Sequence, residues 1–396
     1  MAFARGLVLT LLMLGLAIIG IGALGSCLAA KRAGSLPVWL LTAGAALLAL
    51  AGLLAIRDGL SIEWHIRWAL PIGRLMLRLD ALSGLFLLLI GALGALTSIY
   101  GLAYLAHERR MARQRWAWVS QALLLISMAG VVVAADAVVF LMAWEIMAIS
   151  SFALVVLDDS AAETRQAGWV YLSASHLGAA CLIALLTLLS LHAGSSAFAD
   201  IRAAGIPPTL APWVWGLAIL GFGSKAGLVP LHVWLPAAHA AAPSHVSALM
   251  SGVMINMGIY GLFRLADLIG APPIGAAWTL MLLGACSGVL GAVSAAAQDD
   301  IKRLLAYSTV ENAGLICMGL GLGWVGAALQ QPGIAVAGYA AALVHVVHHA
   351  LGKGALFLAA GTVVHATGTR SLDRMGGLIR PMPLTGAMLA MGAGIL

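Results

Sequence analysis

The chain has 396 residues, 62% of them apolar and only 9% charged, with a net charge of +6. Soluble domains average about 45–50% apolar and about 25% charged. Composition therefore excludes a soluble globular protein, and a mean hydropathy of +1.02 points to a polytopic membrane protein, for which length does not count domains. The four cysteines, Cys27, Cys181, Cys286 and Cys317, stand singly in apolar runs. None has the spacing of a disulfide framework, a zinc site or an iron–sulfur cluster. No cofactor and no metal is expected in this chain, so any electron-transfer centre of a larger machine belongs to another chain.

Apolar runs near twenty residues, the length that crosses a bilayer core, recur throughout. In order they cover 5–29, 38–57, 80–105, 116–134, 137–157, 166–191, 212–229, 244–269, 276–297, 303–323, 333–363 and 381–396. That is an all-α polytopic protein of about twelve helices. The first run is too long for a signal-peptide core and another span follows at once, so it reads as retained. Between the second and third spans, Ile62, Trp64, Ile66 and Trp68 alternate with polar residues, Pro71-Ile72-Gly73 makes a turn, and Leu75, Leu77 and Leu79 alternate again. This period of two around a turn predicts a small extramembrane β-hairpin within 58–79. Lys31, Arg32, Arg109, Arg110, Arg113 and Arg115 lead an excess of positive charge in the odd-numbered loops, against Arg57, Arg67, Arg74, Arg78, Arg202 and Arg264 in the even-numbered ones. The positive-inside rule then puts the odd loops in the cytoplasm and the N-terminus outside. No basic cluster with interleaved aromatics suggests nucleic acid. The last run reaches Leu396 in mid-helix with no polar cap, the pattern of a fragment or of a chain that has lost its C-terminal part.

Ionisable residues inside spans are costly and are functional candidates by default. Glu145 lies near the middle of the fifth span, with no positive residue within two turns, so its partner must be on another helix. Lys225 ends the seventh span in GFGSKAGLVPLHVWLP, just before Gly227 and Pro230. Proline breaks a helix, and broken helices at membrane depth mark ion sites where they line polar cavities. GFGSKAG lacks the spacing of a phosphate loop. His345, His349 and Lys353 recur at i, i+4 and i+8, on one helix face spanning about 12 Å; such a row suits a proton relay. His348 points away. His232 and His239 follow the break, and His245 sits at the start of the eighth span, where Pro243 and Ser244 supply the helix start. Glu311 follows Ser308 as S-T-V-E, a capping box at the start of the tenth span. Asp299, Asp300, Lys302 and Arg303 read as a solvated loop cluster, and Asp136 as the cap of the fifth helix.

At these residues a family resemblance emerges. GLVPLHVWLPAAHAAAPSHVSALMSGVMINMGIYG after Lys225, then QDDIKRLLAYSTVENAGLI, then HVVHHALGKGALFL, resemble the antiporter-like membrane subunits of complex I and of Mrp cation antiporters. Within that family AAPSHVSALMSGVM and YSTVEN are most similar to the hydrogenase-4 and formate hydrogenlyase membrane subunits. The resemblance covers at least residues 79–370, with several motifs in the family's order. It implies three N-terminal helices (1–115), a first five-helix repeat (116–270) with a broken seventh helix, and an inverted second repeat (271–396), here incomplete. It implies that Glu145 pairs with Lys225 and that His345, His349 and Lys353 form the central relay. Ser251 and Asn256 are neutral where many relatives carry His or Lys, so a link from Lys225 to the relay would run through water. The exit-side ionisable residue of the second repeat is missing, so a complete channel is not expected in this chain alone.

The function implied is a proton-translocating, non-redox membrane subunit of a hydrogenase-4 or complex I-like oxidoreductase assembly in a bacterial inner membrane. Its partners would be other membrane subunits and, through them, a peripheral redox arm with iron–sulfur and [NiFe] centres. His232, His239, His245 and Glu311 are further candidates for the pathway. The alternatives are a Na⁺(K⁺)/H⁺ antiporter subunit of the same fold, a structural subunit without transport, and a haem protein with histidine axial ligands. The last needs facing histidine pairs at matched depth, and only the eleventh span is read as offering mid-membrane histidines.

Overall fold

The computed structural model describes residues 2–28, 35–66, 75–106 and 110–396. Two long apolar helices come first, α1 (Ala2–Leu28) and α2 (Ser35–Arg57), followed by strands β1 (Ile62–Ile66) and β2 (Leu75–Leu79). The strands pair antiparallel, with Ile62 opposite Leu79 and Ile66 opposite Leu75, as the alternation predicts. Trp68 and the Pro71-Ile72-Gly73 turn lie outside the described residues, as do Lys31, Arg32, Arg67, Arg74 and Arg109 of the charge pattern. Helices α3 (Ala81–Leu105), α4 (Met111–Val133), α5 (Ala137–Val155) and α6 (Ala162–Ala193) follow, then the short α7 (Phe198–Ala204). The seventh expected span is α8 (Ala211–Ala226), which stops at the break; α9 (Leu235–Ala241) lies beyond it. The eighth is α10 (Ser244–Leu249), a π-helical turn Met250–Met254, and α11 (Asn256–Ile269). Finally come α12 (Ile274–Ala296), α13 (Ile301–Ala328), α14 (Pro332–Thr367), a 3₁₀ turn Leu372–Arg374 and α15 (Pro383–Ile395).

Among the described residues ten helices are long and apolar enough to cross a membrane. The chain is a multi-pass membrane protein. Of the twelve expected spans, the seventh is shortened to 16 residues by its break and the last to 13. The eighth span is wholly buried, so it forms the centre of the bundle, while α1 and α12 leave most of their surface outward. In α1 and α2 the outward side carries Leu24, Leu36, Trp39 and Leu53, an apolar exterior suited to lipid.

Helix ends show why the sequence folds this way. Asp136 caps α5, accepting from the N–H groups of Val138 and Val139. Asp300, not Ser308, caps α13, accepting from Lys302 and Arg303 N–H. The capping-box reading of Ser308 and Glu311 is therefore corrected: α13 begins at Ile301, and both residues lie two to three turns inside it. Ser244 opens α10 as expected but its hydroxyl makes no capping bond. Between α12 and α13 the backbones touch: a Cβ on Gly314 would lie 2.5 Å from the Gly284 carbonyl oxygen. Small residues let membrane helices approach this closely.

One end of the bundle is clamped by Arg264 of α11. Its side chain is 8% exposed. It donates Nη1 to Asp80 Oδ2 (2.7 Å) and Asp267 Oδ2 (3.0 Å), Nη2 to Asp80 Oδ1 (2.8 Å) and Ser83 Oγ (2.9 Å), and Nε to Tyr260 Oη (3.0 Å). All five guanidinium donors are used. Ser83 and Tyr260 both donate onward to the Val132 carbonyl, tying α3, α4 and α11 together. Burial alone would raise the Asp80 carboxyl, but the hydrogen bonds and charge of Arg264, with Ser83 N–H and Arg78, hold it down at about 2.

Candidate functional site: a file of buried lysines and histidines

Lys225 sits in the last turn of α8, 4% exposed. The helix ends at Gly227, whose φ of +78° favours glycine and where a Cβ would lie 2.5 Å from Leu235 Cδ1. The polar groups freed by the break are bonded within the protein: Val229 N–H donates to Ser287 Oγ of α12 (2.9 Å), and Trp234 Nε1 donates to the Ser224 carbonyl (3.0 Å). Lys225 Nζ donates to Tyr171 Oη of α6 at 2.9 Å, and Tyr171 Oη lies 2.5 Å from Ser151 Oγ of α5. Tyr171 is fully buried. No salt bridge joins Lys225 to Glu145 among the described residues. Glu145 is on the outward side of α5, 31% exposed, and faces His176 of α6 at 3.7 Å. The structure brings Lys225 to two hydroxyls and Glu145 to a histidine, rather than joining the two expected partners directly.

The face predicted for α14 is realised. His349 and Lys353 are fully buried, His345 is half-buried, and His348 is exposed. Lys353 Nζ donates to Ser308 Oγ and, at 3.4 Å, to the Leu305 carbonyl of α13. Asn312 donates its amide to the Ser308 carbonyl, which leaves Oδ1 as the acceptor for His345 Nε2–H at 2.9 Å. Lys353 and His345 are thus held by two positions of YSTVEN one turn apart on α13. Glu311, between them in sequence, is half-buried, its backbone against Gly291 of α12, with no ion pair among the described residues.

His239 is the point where these groups converge. It is fully buried on α9, stacked against Trp234 (6.4 Å between centroids) and Phe357 (5.4 Å). Trp234 packs edge-on against Tyr171, the partner of Lys225. Phe357 lies one turn beyond Lys353 and two beyond His349 on α14, and Lys302 Nζ donates to the carbonyl of Ala240, the residue after His239. Among the described residues neither ring nitrogen of His239, His245 or His349 has a hydrogen-bond partner. His245 is fully buried against Tyr104 and Trp118. His232 is half-buried beyond the break, with Nδ1 unpartnered. On the eighth span, Ser251 lies in the π-turn with its hydroxyl 2.7 Å from Thr309 Oγ1, and Asn256 donates to the Gly252 carbonyl. π-turns often sit at functional sites.

Lys302 departs from its sequence reading. It is 4% exposed, not solvated, and Nζ donates to the Ala240 and Ala242 carbonyls at the end of α9. Lys302 borders a cavity of about 400 Å³, with Ser244, Tyr104, Asp158 and Arg370 also on its wall. Arg370 pairs with Asp300 at 3.2 Å and donates to the Ala240 carbonyl. The cavity lies among the ends of α3, α5 and α14 and the start of α13, the side the charge pattern assigns to the cytoplasm. Lys302, Tyr171, Ser151, Ser308, Asn312 and His176 were not singled out from sequence as site residues. His176, mid-way along α6, also corrects the reading that only the eleventh span carries mid-membrane histidines. Among the described residues no cluster of three or more His, Cys, Asp or Glu could hold a metal ion.

A family profile described as NADH:quinone oxidoreductase/Mrp antiporter, transmembrane, matches residues 134–394. The chain belongs to this family. It is 40% identical over 322 residues to hydrogenase-4 component B of Escherichia coli K12, covering 80% of this chain and 48% of that protein. It is 32% identical over 336 residues to Na⁺/H⁺ antiporter subunit A1 of Staphylococcus haemolyticus, covering 83% of this chain and 41% of that one. Among solved structures it superposes on a chain of the membrane-bound sulfane sulfur reductase, an archaeal respiratory membrane complex, with a TM-score of 0.81 and 28% identity, covering 97% of this chain and 61% of that chain. The fold is that of an antiporter-like membrane subunit. The chain spans about half the length of the curated relatives it matches.

Proposed function

We propose that this chain is a proton-translocating membrane subunit of a hydrogenase-4-like respiratory assembly, itself free of redox cofactors. One observation carries the reading: Lys225, His239, His349 and Lys353 are all buried, Lys225 bonds to a hydroxyl, Lys353 to a hydroxyl and a carbonyl, and among the described residues neither lysine makes a salt bridge. A buried structural ammonium is normally ion-paired. One resting on hydroxyls can release its proton and leave a neutral amine that is still hydrogen-bonded. The unpartnered nitrogens of His239 and His349 add sites for water, which carries protons between fixed groups.

In this reading protons enter from the cavity beside Lys302, on the cytoplasmic side of a bacterial inner membrane, with the N-terminus outside. They pass His245 and His239 to the central group of His349, Lys353 and His345, with His232 and Glu311 flanking the route. Lys225 and Glu145 form the switch of the first five-helix repeat (116–270), and the second repeat (271–396) begins the exit. Other membrane subunits supply the trigger, and a peripheral arm with iron–sulfur and [NiFe] centres supplies the energy. The greater identity to the hydrogenase-4 component than to the antiporter subunit favours this over a Na⁺(K⁺)/H⁺ antiporter.

The test is Lys225→Ala in the assembled complex in everted membrane vesicles. Proton uptake, read with a pH-gradient dye, is expected to be abolished with the complex still assembled and with no requirement for Na⁺ or K⁺ in the wild type. Undiminished uptake in the variant would overturn the reading; cation-dependent uptake would favour the antiporter.

A further inference from the structure

The α5–α6 seam carries two polar rungs. The inner rung is Ser151 with Tyr171, the pair that meets Lys225. The outer rung is Glu145 with His176, at 3.7 Å an ion-pair separation rather than a hydrogen bond. Along α5 the rungs are six residues apart and along α6 five, about 8–9 Å at 1.5 Å per residue. Five residues also turn a helix by about 140°, so α6 presents Tyr171 to the interior and His176 to the exterior. The outer rung lies in an apolar surface formed by Met142, Ile146 and Ile149 of α5 and Trp169 and Leu177 of α6, all exposed.

The hydrogen positions on this rung are constrained. His176 Nδ1 lies 2.9 Å from the Leu172 carbonyl oxygen. A carbonyl only accepts, so Nδ1 carries a hydrogen. Nε2 then faces Glu145 in one of two states: as the N–H of an imidazolium opposite a carboxylate, or as a lone pair opposite a protonated carboxyl. In both, the pair holds one proton beyond the Nδ1 hydrogen and is neutral overall. The third arrangement, a lone pair facing a carboxylate, leaves a bare charge in an apolar surface, where it is expensive. Among the described residues no other ion pair or hydrogen bond reaches either side chain.

We propose that His176 is the proton partner of Glu145, the two sharing a single transferable proton on the outer face of the seam, one rung from Lys225. This rests on the proton-translocation reading and supplies the partner that Glu145 lacks within that switch. Proton movement from Nε2 to the carboxylate oxygen converts the ionic form to the neutral one with no net charge crossing the surface, so the rung changes its field on Lys225 at low cost.

The test uses dicyclohexylcarbodiimide, a lipid-soluble reagent that couples to protonated carboxyl groups, on membranes containing the assembled complex. Label on Glu145 is taken as the part lost in Glu145→Gln and is normalised to the amount of chain present. His176→Gln removes the counter-group, whereas His176→Arg fixes a positive charge there. Label in the glutamine variant is expected to exceed that in the arginine variant, with the wild type between. Equal labelling of the two variants would overturn the proposal. If either fails to accumulate, His176→Asn and His176→Lys give the same contrast. Labelling reads the pair whether or not protons are pumped. That contrast with unimpaired pumping in Lys225→Ala would leave the pair standing and remove the transport reading.

Discussion

Asp80→Asn isolates the clamp at Arg264. The substitution keeps the shape and one carbonyl acceptor but removes the charge that two guanidinium nitrogens contact at 2.7 and 2.8 Å. Arg264 keeps Asp267, which is 40% exposed and screened, while its own side chain is 8% exposed. Breaking a buried pair costs about 3–5 kcal/mol, and the retained amide acceptor brings this toward about 2–3 kcal/mol. The carboxyl gives a matching figure. Its drop from 3.8 to about 2 corresponds to about 2 kcal/mol by linkage. Because the folded value lies below the unfolded one, this contribution is complete above pH 3.8 and is lost as pH falls toward 2. Cys317, fully buried on α13, reports unfolding when the other three cysteines are serine. In detergent micelles titrated with denaturant, Asp80→Asn should expose Cys317 to a maleimide about 2–3 kcal/mol earlier at neutral pH, and the deficit should shrink in acid. A variant as stable as wild type, or a deficit indifferent to acid, would refute the assignment of Asp80 as the counter-charge.

Two further substitutions test the site. Tyr171→Phe removes the oxygen that Lys225 contacts and keeps the ring that packs on Trp234; a hydrogen bond to a charged group is worth about 1.5–3 kcal/mol, so proton uptake should fall about tenfold or more in the vesicle assay, and wild-type uptake would remove Tyr171 from the switch. Ser287→Ala strips the acceptor from the Val229 N–H at the helix break; an orphaned buried donor costs about 1–3 kcal/mol, measurable by the same thiol assay, and an unchanged midpoint would show that the break does not depend on α12.

The helices and the α14 face were legible because apolar length and a period of 3.6 are local properties. A row at i, i+4 and i+8 fixes one side of a helix whatever surrounds it, so His349 and Lys353 are buried and His348 is not. The hairpin was legible for the same reason, through its period of two. The partners were not. Tyr171, Ser151, Ser308 and Asn312 are neutral and sit where helical pattern alone cannot separate a packing hydroxyl from one that holds a lysine; only tertiary proximity distinguishes them. Lys302 was misread because Asp299, Asp300 and Arg303 surround it in sequence, although the first turn of a helix sends neighbouring residues to different sides. Ser308 and Glu311 show the opposite failure: S-x-x-E is common inside helices and marks a start only where no stronger cap precedes it, and Asp300 does.

The protein treats its buried cations in two ways, and under the proposed function the difference divides scaffold from pathway. Arg264 is met by two carboxylates, through three contacts, and by two hydroxyls, with every donor occupied. A guanidinium does not give up its proton, so this arrangement is a permanent charge, fixed where three helices must not move apart. Lys225 and Lys353 are met by Tyr171, Ser308 and a backbone carbonyl. A lysine does change its charge when buried, and a hydroxyl can donate to the resulting amine as readily as it accepted from the ammonium. The neutral partners therefore satisfy both protonation states, which a carboxylate would not. That reversibility, rather than the presence of charge at membrane depth, separates Lys225 and Lys353 from Arg264, and it makes the choice of hydroxyls on α6 and α13 as informative as the lysines themselves.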